Sequence, residues 1–158
     1  MLFRSLWRKV GASTMSRVER AIADSEVLHT GEIRVAIEAS LDWRRLLSGQ
    51  SARERALEVF SERRVWDTAD NNGVLIYLLL ADRDVEIVAD RGVAAVVKKS
   101  EWEAICLRME ERFRDGLFEN ALLHGVEAVG RRLSEIYPIE ATTSNTAINE
   151  LPDRPIRL

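Results

Sequence analysis

The stretch TADNNGVLIYLLLADRDVEIVADRG, residues 68–92, carries clusters of side chains of the types that hold hard cations or move protons. Asp70, Asn71 and Asn72 come first, Asp82 and Asp84 sit in the middle, and Asp90 comes last. Carboxylates, side-chain amides and loop carbonyls together offer the all-oxygen ligand set that suits Ca²⁺ or Mg²⁺. The spacing is not that of an EF-hand loop. Asp, Asn and Gly are also the residues that build tight turns, so two readings stand side by side, a cation site and plain turn chemistry, and residue chemistry alone favours the turns. For residues 82–84 a hairpin turn is a full explanation.

Other chemistry has less support. His29 and His124 are far apart and neither belongs to an H-x-x-x-H pair, so no zinc site follows. No G-x-S-x-G, P-loop or G-x-G-x-x-G is present, which removes the motif basis for a nucleophile elbow or a nucleotide cradle. The single cysteine, Cys106, falls on the apolar stripe of a helical segment and reads as a buried structural thiol.

The elements that must position these residues follow from periodicity. Ser16 with Glu19 makes a capping-box pattern and opens a helix over residues 16–28, broken by Thr30 and Gly31. EIRVAIEA alternates, with Ile33, Val35 and Ile37 on one face of a strand. SLDWRRLLSGQ reads as a loop, in which Trp43 beside Arg44 and Arg45 is placed to be exposed. Ser51 and Glu54 form a second capping box, opening a helix with Ala52, Ala56, Val59 and Phe60 on its buried stripe and ending near Val65. GVLIYLLLA has the continuous apolar character of a central strand covered on both faces, and DRD leads tightly into a third strand, VEIVA. So short a connection requires an antiparallel hairpin, whereas the helix between the first two strands implies a parallel right-handed crossover.

After a short helix or turn at VAAVVKKS come two long amphipathic helices. The first carries Trp102, Ile105, Cys106, Met109 and Phe113 and stops at Gly116; the second carries Leu122, Val126, Val129, Leu133 and Ile136 and stops at Pro138. Trp66, at the end of its helix, is expected in the core together with Trp102. The expected architecture is α/β, a three-layer αβα sandwich around a small mixed β-sheet.

That topology sorts the acids into two sets. Glu32 at the start of the first strand, Asp70 and Asn71 before the second and Asp90 after the third share one edge of the sheet, and these four are the candidate metal ligands. Asp82 and Asp84 lie at the opposite edge, near Glu38 and Asp42.

The chain of 158 residues, with 46% hydrophobic and 31% charged residues, is the size of one domain with a real core. A net charge of −3 and a pI near 5.5 give no general nucleic-acid footprint. The expected domain spans residues 14–138, with residues 139–158 as a disordered polar tail. The first 13 residues place Leu2, Phe3, Leu6, Trp7 and Val10 at helical spacing among Arg4, Arg8 and Lys9. Such a segment can lie on an anionic membrane surface; so short a helix is marginal alone in water, which favours packing on the domain or fraying. The basic residues interrupt any signal-peptide apolar core, and the longest apolar run is too short to span a bilayer, so the expected location is cytoplasmic, with peripheral membrane contact as the variant.

At the same residues the chain resembles the TPM domain family, named for a thylakoid lumen protein, a photosystem II repair protein and a modulator of a nematode acetylcholine receptor. HTGEIRVAIE resembles the family's T-G-x-x-I-x-V first strand. NNGVLIYLLLADRDVEIVADRG resembles its N-G-V-L strand, D-R turn and third strand, and FRDGLFENALLHGVEAVGRRL its F-x-x-G segment. The resemblance runs from about His29 to Pro138. It implies an αβα sandwich and, as in some relatives, calcium held by acidic loop residues, here Asp70 and Asn71 before N-G-V-L and Asp90 before Gly92. One plant relative is described as an acid phosphatase. The chain departs from many relatives in having ADRGVAAVV where they have G-x-G-L-E, and in showing no secretory signal or C-terminal membrane segment. The resulting expectation is a non-catalytic accessory domain acting through a protein partner, with a Ca²⁺ or Mg²⁺ site. The alternative is a metal-assisted phosphomonoester hydrolase, in which Arg91 would contact phosphate.

Overall fold

Four strands, β1 (Glu32–Glu38), β2 (Gly73–Leu79), β3 (Asp84–Ala89) and β4 (Ile156–Arg157), form one sheet in the order β3-β2-β1-β4. They come from a computed structural model that describes residues 2–139 and 149–158. β1 runs parallel to β2, with Ile33 opposite Val74 and Val35 opposite Ile76. β3 returns antiparallel to β2, with Ile76 opposite Ile87. Every residue of β2 is buried, as its unbroken apolar run requires for a strand covered on both faces.

Seven helices accompany the sheet among the described residues: α1 (Leu2–Arg8), α2 (Ala12–Glu26), α3 (Trp43–Leu47), α4 (Ala52–Glu62), α5 (Arg91–Ala94), α6 (Lys99–Arg114) and α7 (Phe118–Ile136). Ile33, Val35, Ile76 and Ile87 face α2, α6 and α7 across one apolar core, with Ile22, Phe113 and Val129 among the facing side chains. Ala36, Leu75, Tyr77 and Val88 face Ala56 and Val59 of α4 on the other side, where Leu151 also packs. The fold is thus a three-layer αβα sandwich around a mixed sheet.

Local chemistry explains several boundaries. Ser51 caps α4 by accepting from the Glu54 N–H at 3.1 Å, and the Glu54 carboxylate accepts from the Ser51 N–H at 2.8 Å. Such a reciprocal box satisfies two otherwise orphaned donors. The pattern at Ser16 and Glu19 is not used: α2 begins at Ala12 behind Gly11. Tertiary contacts extend the helix by a turn, since Val10 is buried and Thr14 donates to Glu119 Oε2 at 2.9 Å.

Four more expectations are corrected. The loop after β1 contains α3, capped by Asp42, which accepts from the Arg44 and Arg45 N–H groups at 2.9 and 3.1 Å. Trp66 is not core: it is 45% exposed with Arg64 stacked on its ring, and the neighbouring Val65 takes the buried place instead. β1 does not have one wet face, for Glu32, Arg34 and Glu38 are all buried. Finally, residues 149–158 are not a structureless tail. They return to the sheet, where β4 pairs with β1 and the Leu158 N–H donates to the Ile37 carbonyl at 2.9 Å. The rest of the expected tail, residues 140–148, lies outside the described residues.

At the N-terminus Leu6 and Trp7 pack against the main core, and the Arg157 guanidinium sits 3.8 Å from the centre of the Trp7 ring. Among the described residues no helix is long and apolar enough to cross a membrane.

Candidate functional site at the lower edge of the sheet

The loop before β2 and the turn after β3 meet around Gly92. Asn71 is left-handed (φ 51°), a conformation asparagine tolerates better than most residues, and this aims its carbonyl at the Gly92 N–H, 2.9 Å away. Asp90 closes the edge from the other side, its N–H donating to the Gly73 carbonyl at 2.8 Å. Its Oδ1 accepts from the Arg91 N–H at 2.7 Å and so caps α5. Asp90 is 6% exposed, and its Oδ2 has no hydrogen-bond partner.

Gly92 is required by close approach. A Cβ there would lie 2.6 Å from the Asn71 carbonyl oxygen, 2.7 Å from that of Asp70 and 2.8 Å from the Tyr137 hydroxyl. The Tyr137 phenol is pushed above its ordinary pKa by burial and then by the Asp70 and Asp90 carboxylates. Two main-chain carbonyls and a phenol oxygen thus converge on one side-chain-free position. Asn72, fully buried behind them, donates from Nδ2 to the Thr30 carbonyl at 3.1 Å, and its Oδ1 is unpartnered.

Asp70, Asn71 and Asp90 are therefore brought together. Glu32 shares their edge, but its carboxylate is engaged elsewhere. Its Oε1 accepts from the Glu150 N–H at 2.8 Å, and the carboxylate stands with those of Glu26 and Asp153, one oxygen from each lying within 4.8 Å of the others. Glu150 links the two groups, since its Oε2 accepts from the Ala69 N–H at 2.9 Å, next to Asp70. Five buried side-chain polar atoms lack a partner among the described residues, and four of them belong to Glu32, Arg34, Asn72 and Asp90 at or beside this edge. Unmade hydrogen bonds in a folded interior carry a cost of about 1–3 kcal/mol each, and their concentration here singles this edge out as the candidate site.

The acids of the opposite edge serve structure. Asp42 caps α3, and Glu38 accepts from Arg55 Nε at 2.9 Å and from the Tyr77 hydroxyl at 2.7 Å. Asp84 is pushed up to about 6, mostly by burial and then by Glu86, Glu110 and Asp82. Two of the groups with nucleophile or acid–base chemistry are also committed, whereas the buried His124 Nε2 has no partner among the described residues. Cys106 is buried, which raises its thiol to about 12, and both His29 ring nitrogens are engaged, with Ser25 at 2.9 Å and the Gly31 carbonyl at 3.0 Å.

Sequence reasoning passed over Tyr137, Glu26 and Asp153. Only the apolar residues Leu151 and Ile156 within a polar segment signalled that residues 149–158 return to the fold.

Comparison with known proteins gives a consistent picture. The family model described as TPM domain matches residues 11–132. The BA42 protein of the psychrophilic bacterium Bizionia argentinensis is 28% identical, with 93% of this chain and 94% of that one covered and a TM-score of 0.79. The N-terminal domain of a protein from P. gingivalis shares the fold at 19% identity, with 82% and 81% covered and a TM-score of 0.67. The N-terminal domain of the cg2496 protein of Corynebacterium glutamicum does so at 14% identity, with 86% and 84% covered and a TM-score of 0.58. No curated protein matches the chain in sequence.

Proposed function

The chain belongs to the TPM domain family, and from that membership we propose that it is a non-catalytic accessory domain. In this reading it binds a divalent cation, Ca²⁺ or Mg²⁺, through Asp70, Asn71 and Asp90. The observation that carries the reading is the set of oxygens around Gly92, together with the buried Asp90 Oδ2, which has no partner among the described residues. A hard cation favours this donor set of carboxylates and main-chain carbonyls. The Asp70 and Asp90 carboxylates would carry the charge, and the Asn71 carbonyl would complete the loop's contribution. Tyr137 would close the site on the side of α7.

The non-catalytic part of the reading is supported by where the reactive groups are. The Cys106 thiol is built into the core, and both His29 ring nitrogens are engaged in the link between α2 and β1. The domain then acts by presenting a charge-dependent loop surface to a protein partner.

A ligand that binds only the folded state raises its stability by mass action. Millimolar Ca²⁺ should raise the melting temperature of the parent, and the Asp70→Asn/Asp90→Asn pair should reduce the rise. A rise undiminished by the pair places the ion elsewhere. Turnover of a generic phosphomonoester that is lost in the same pair would replace the accessory reading with the hydrolase.

A further inference from the structure

We propose that Glu26, Glu32 and Asp153 form a second divalent-cation site that clamps the C-terminal segment 149–158 onto β1. This site does not rest on the one at Gly92. Its three carboxylates come from the end of α2, the start of β1 and the returning C-terminal segment, so an ion among them ties together parts of the chain far apart in sequence.

The arrangement has the features of a prepared ligand set. Each carboxylate is oriented by one donor: Glu26 Oε1 accepts from the Ile33 N–H at 2.8 Å, Glu32 Oε1 from the Glu150 N–H at 2.8 Å, and Asp153 Oδ1 from Asn149 Nδ2 at 3.0 Å. Each therefore keeps a second oxygen. Glu32 is 3% exposed and its second oxygen has no partner, although it belongs to a cluster whose members stand within 4.8 Å of one another. Oxygens on opposite sides of Ca²⁺ are about 4.6–5.2 Å apart, and those on opposite sides of Mg²⁺ about 4.0–4.2 Å apart. Separations within 4.8 Å fall inside the span of a divalent cation's ligand shell.

Charge points the same way. Carboxylates have no donor of their own when ionised, so oxygens this close are held together only by a cation or by protons. Arg34 supplies one positive charge nearby, where Glu26 and Asp153 act on it, but its NH1 is spent on the Pro152 and Arg154 carbonyls. A doubly charged ion, with Arg34, balances three ionised carboxylates. Burial pushes both Glu26 and Glu32 well above the ordinary carboxylate range, which is the penalty such an ion relieves.

The test uses the full chain carrying Asp70→Asn/Asp90→Asn, so that the loop site does not contribute. CaCl₂ is titrated by calorimetry at neutral pH, and amide exchange is followed at Leu158, whose N–H is bonded to Ile37. The expected result is one ion per chain at submillimolar affinity and at least tenfold slower exchange at Leu158 with Ca²⁺. Asp153→Asn and, separately, Glu26→Gln, which keeps an oxygen for the Ile33 N–H, should each weaken binding tenfold or more with an unchanged far-ultraviolet spectrum. Binding that survives both substitutions overturns the proposal, as does the absence of both heat and added protection. If exchange at Leu158 slows only on acidification and ignores Ca²⁺, the three acids share protons and the proposal is equally wrong.

Discussion

Gly92→Ala adds one methyl group where the lower edge is tightest. The new carbon would stand 2.6 and 2.7 Å from two carbonyl oxygens and 2.8 Å from the Tyr137 hydroxyl, against an ordinary contact of 3.4 Å or more. Each contact must open by 0.6–0.8 Å. The phenol can swing away, but the carbonyls are main chain, and the Asn71 oxygen is also the acceptor for the Gly92 N–H. Relief therefore stretches that hydrogen bond and moves the loop that carries Asp70 and Asn71. Overpacking of this kind costs about 1–3 kcal/mol, and the weakened hydrogen bond adds about 1 kcal/mol. In a chain of this size the total of about 2–4 kcal/mol lowers the melting temperature by about 4–16 °C. Thermal melts followed by circular dichroism read the stability, and the same melts with millimolar Ca²⁺ read the site. The variant should lose both stability and the part of the Ca²⁺-dependent rise that the loop contributes. A variant that melts with the parent and keeps the full rise would refute the claim that these oxygens converge on Gly92.

Other perturbations give separate outcomes. Glu38→Ala removes the carboxylate held by Arg55 and Tyr77, and urea unfolding should show a loss of about 3–5 kcal/mol, because the Arg55 side chain is only 7% exposed and keeps only Glu58 and Glu62. Ile76→Asp, at the centre of the fully buried β2, should cost several kcal/mol and leave little folded protein by circular dichroism at ambient temperature. Asp84 binds its proton more tightly folded, at about 6, than unfolded, so its contribution to stability is lost as pH rises through about 4 to 6. Asp84→Asn should accordingly melt above the parent near neutral pH, and the gap should close below about pH 4, where both side chains are neutral.

What could be read from the sequence depended on how local the cause was. The β2–β3 hairpin followed from the shortness of its connection, and the placing of Asp70, Asn71 and Asp90 at one edge followed from strand direction alone. The polar face of β1 was hidden for the opposite reason. Glu32, Arg34 and Glu38 alternate with Ile33, Val35 and Ile37 as if they faced water, but Arg55, Tyr77 and residues 149–158 cover them from remote parts of the chain. β4 has two residues, too few to show a period, and it exists because β1 offers an open edge. Trp66 misled because its helix stops just before it, so the apolar stripe no longer determines where the ring points. Glu32 illustrates both sides: its edge was legible, whereas its partners Glu26 and Asp153 depended on a helix end and a returning segment.

The most direct measurement is a two-dimensional amide NMR titration of the uniformly labelled chain with Ca²⁺. The account predicts saturable shifts at the amides of residues 70–72 and 90–92 that are absent in Asp70→Asn/Asp90→Asn. Saturable shifts centred instead on the turn at Asp82 and Asp84, or no saturable shift in any amide of the loop around Gly92, would contradict it.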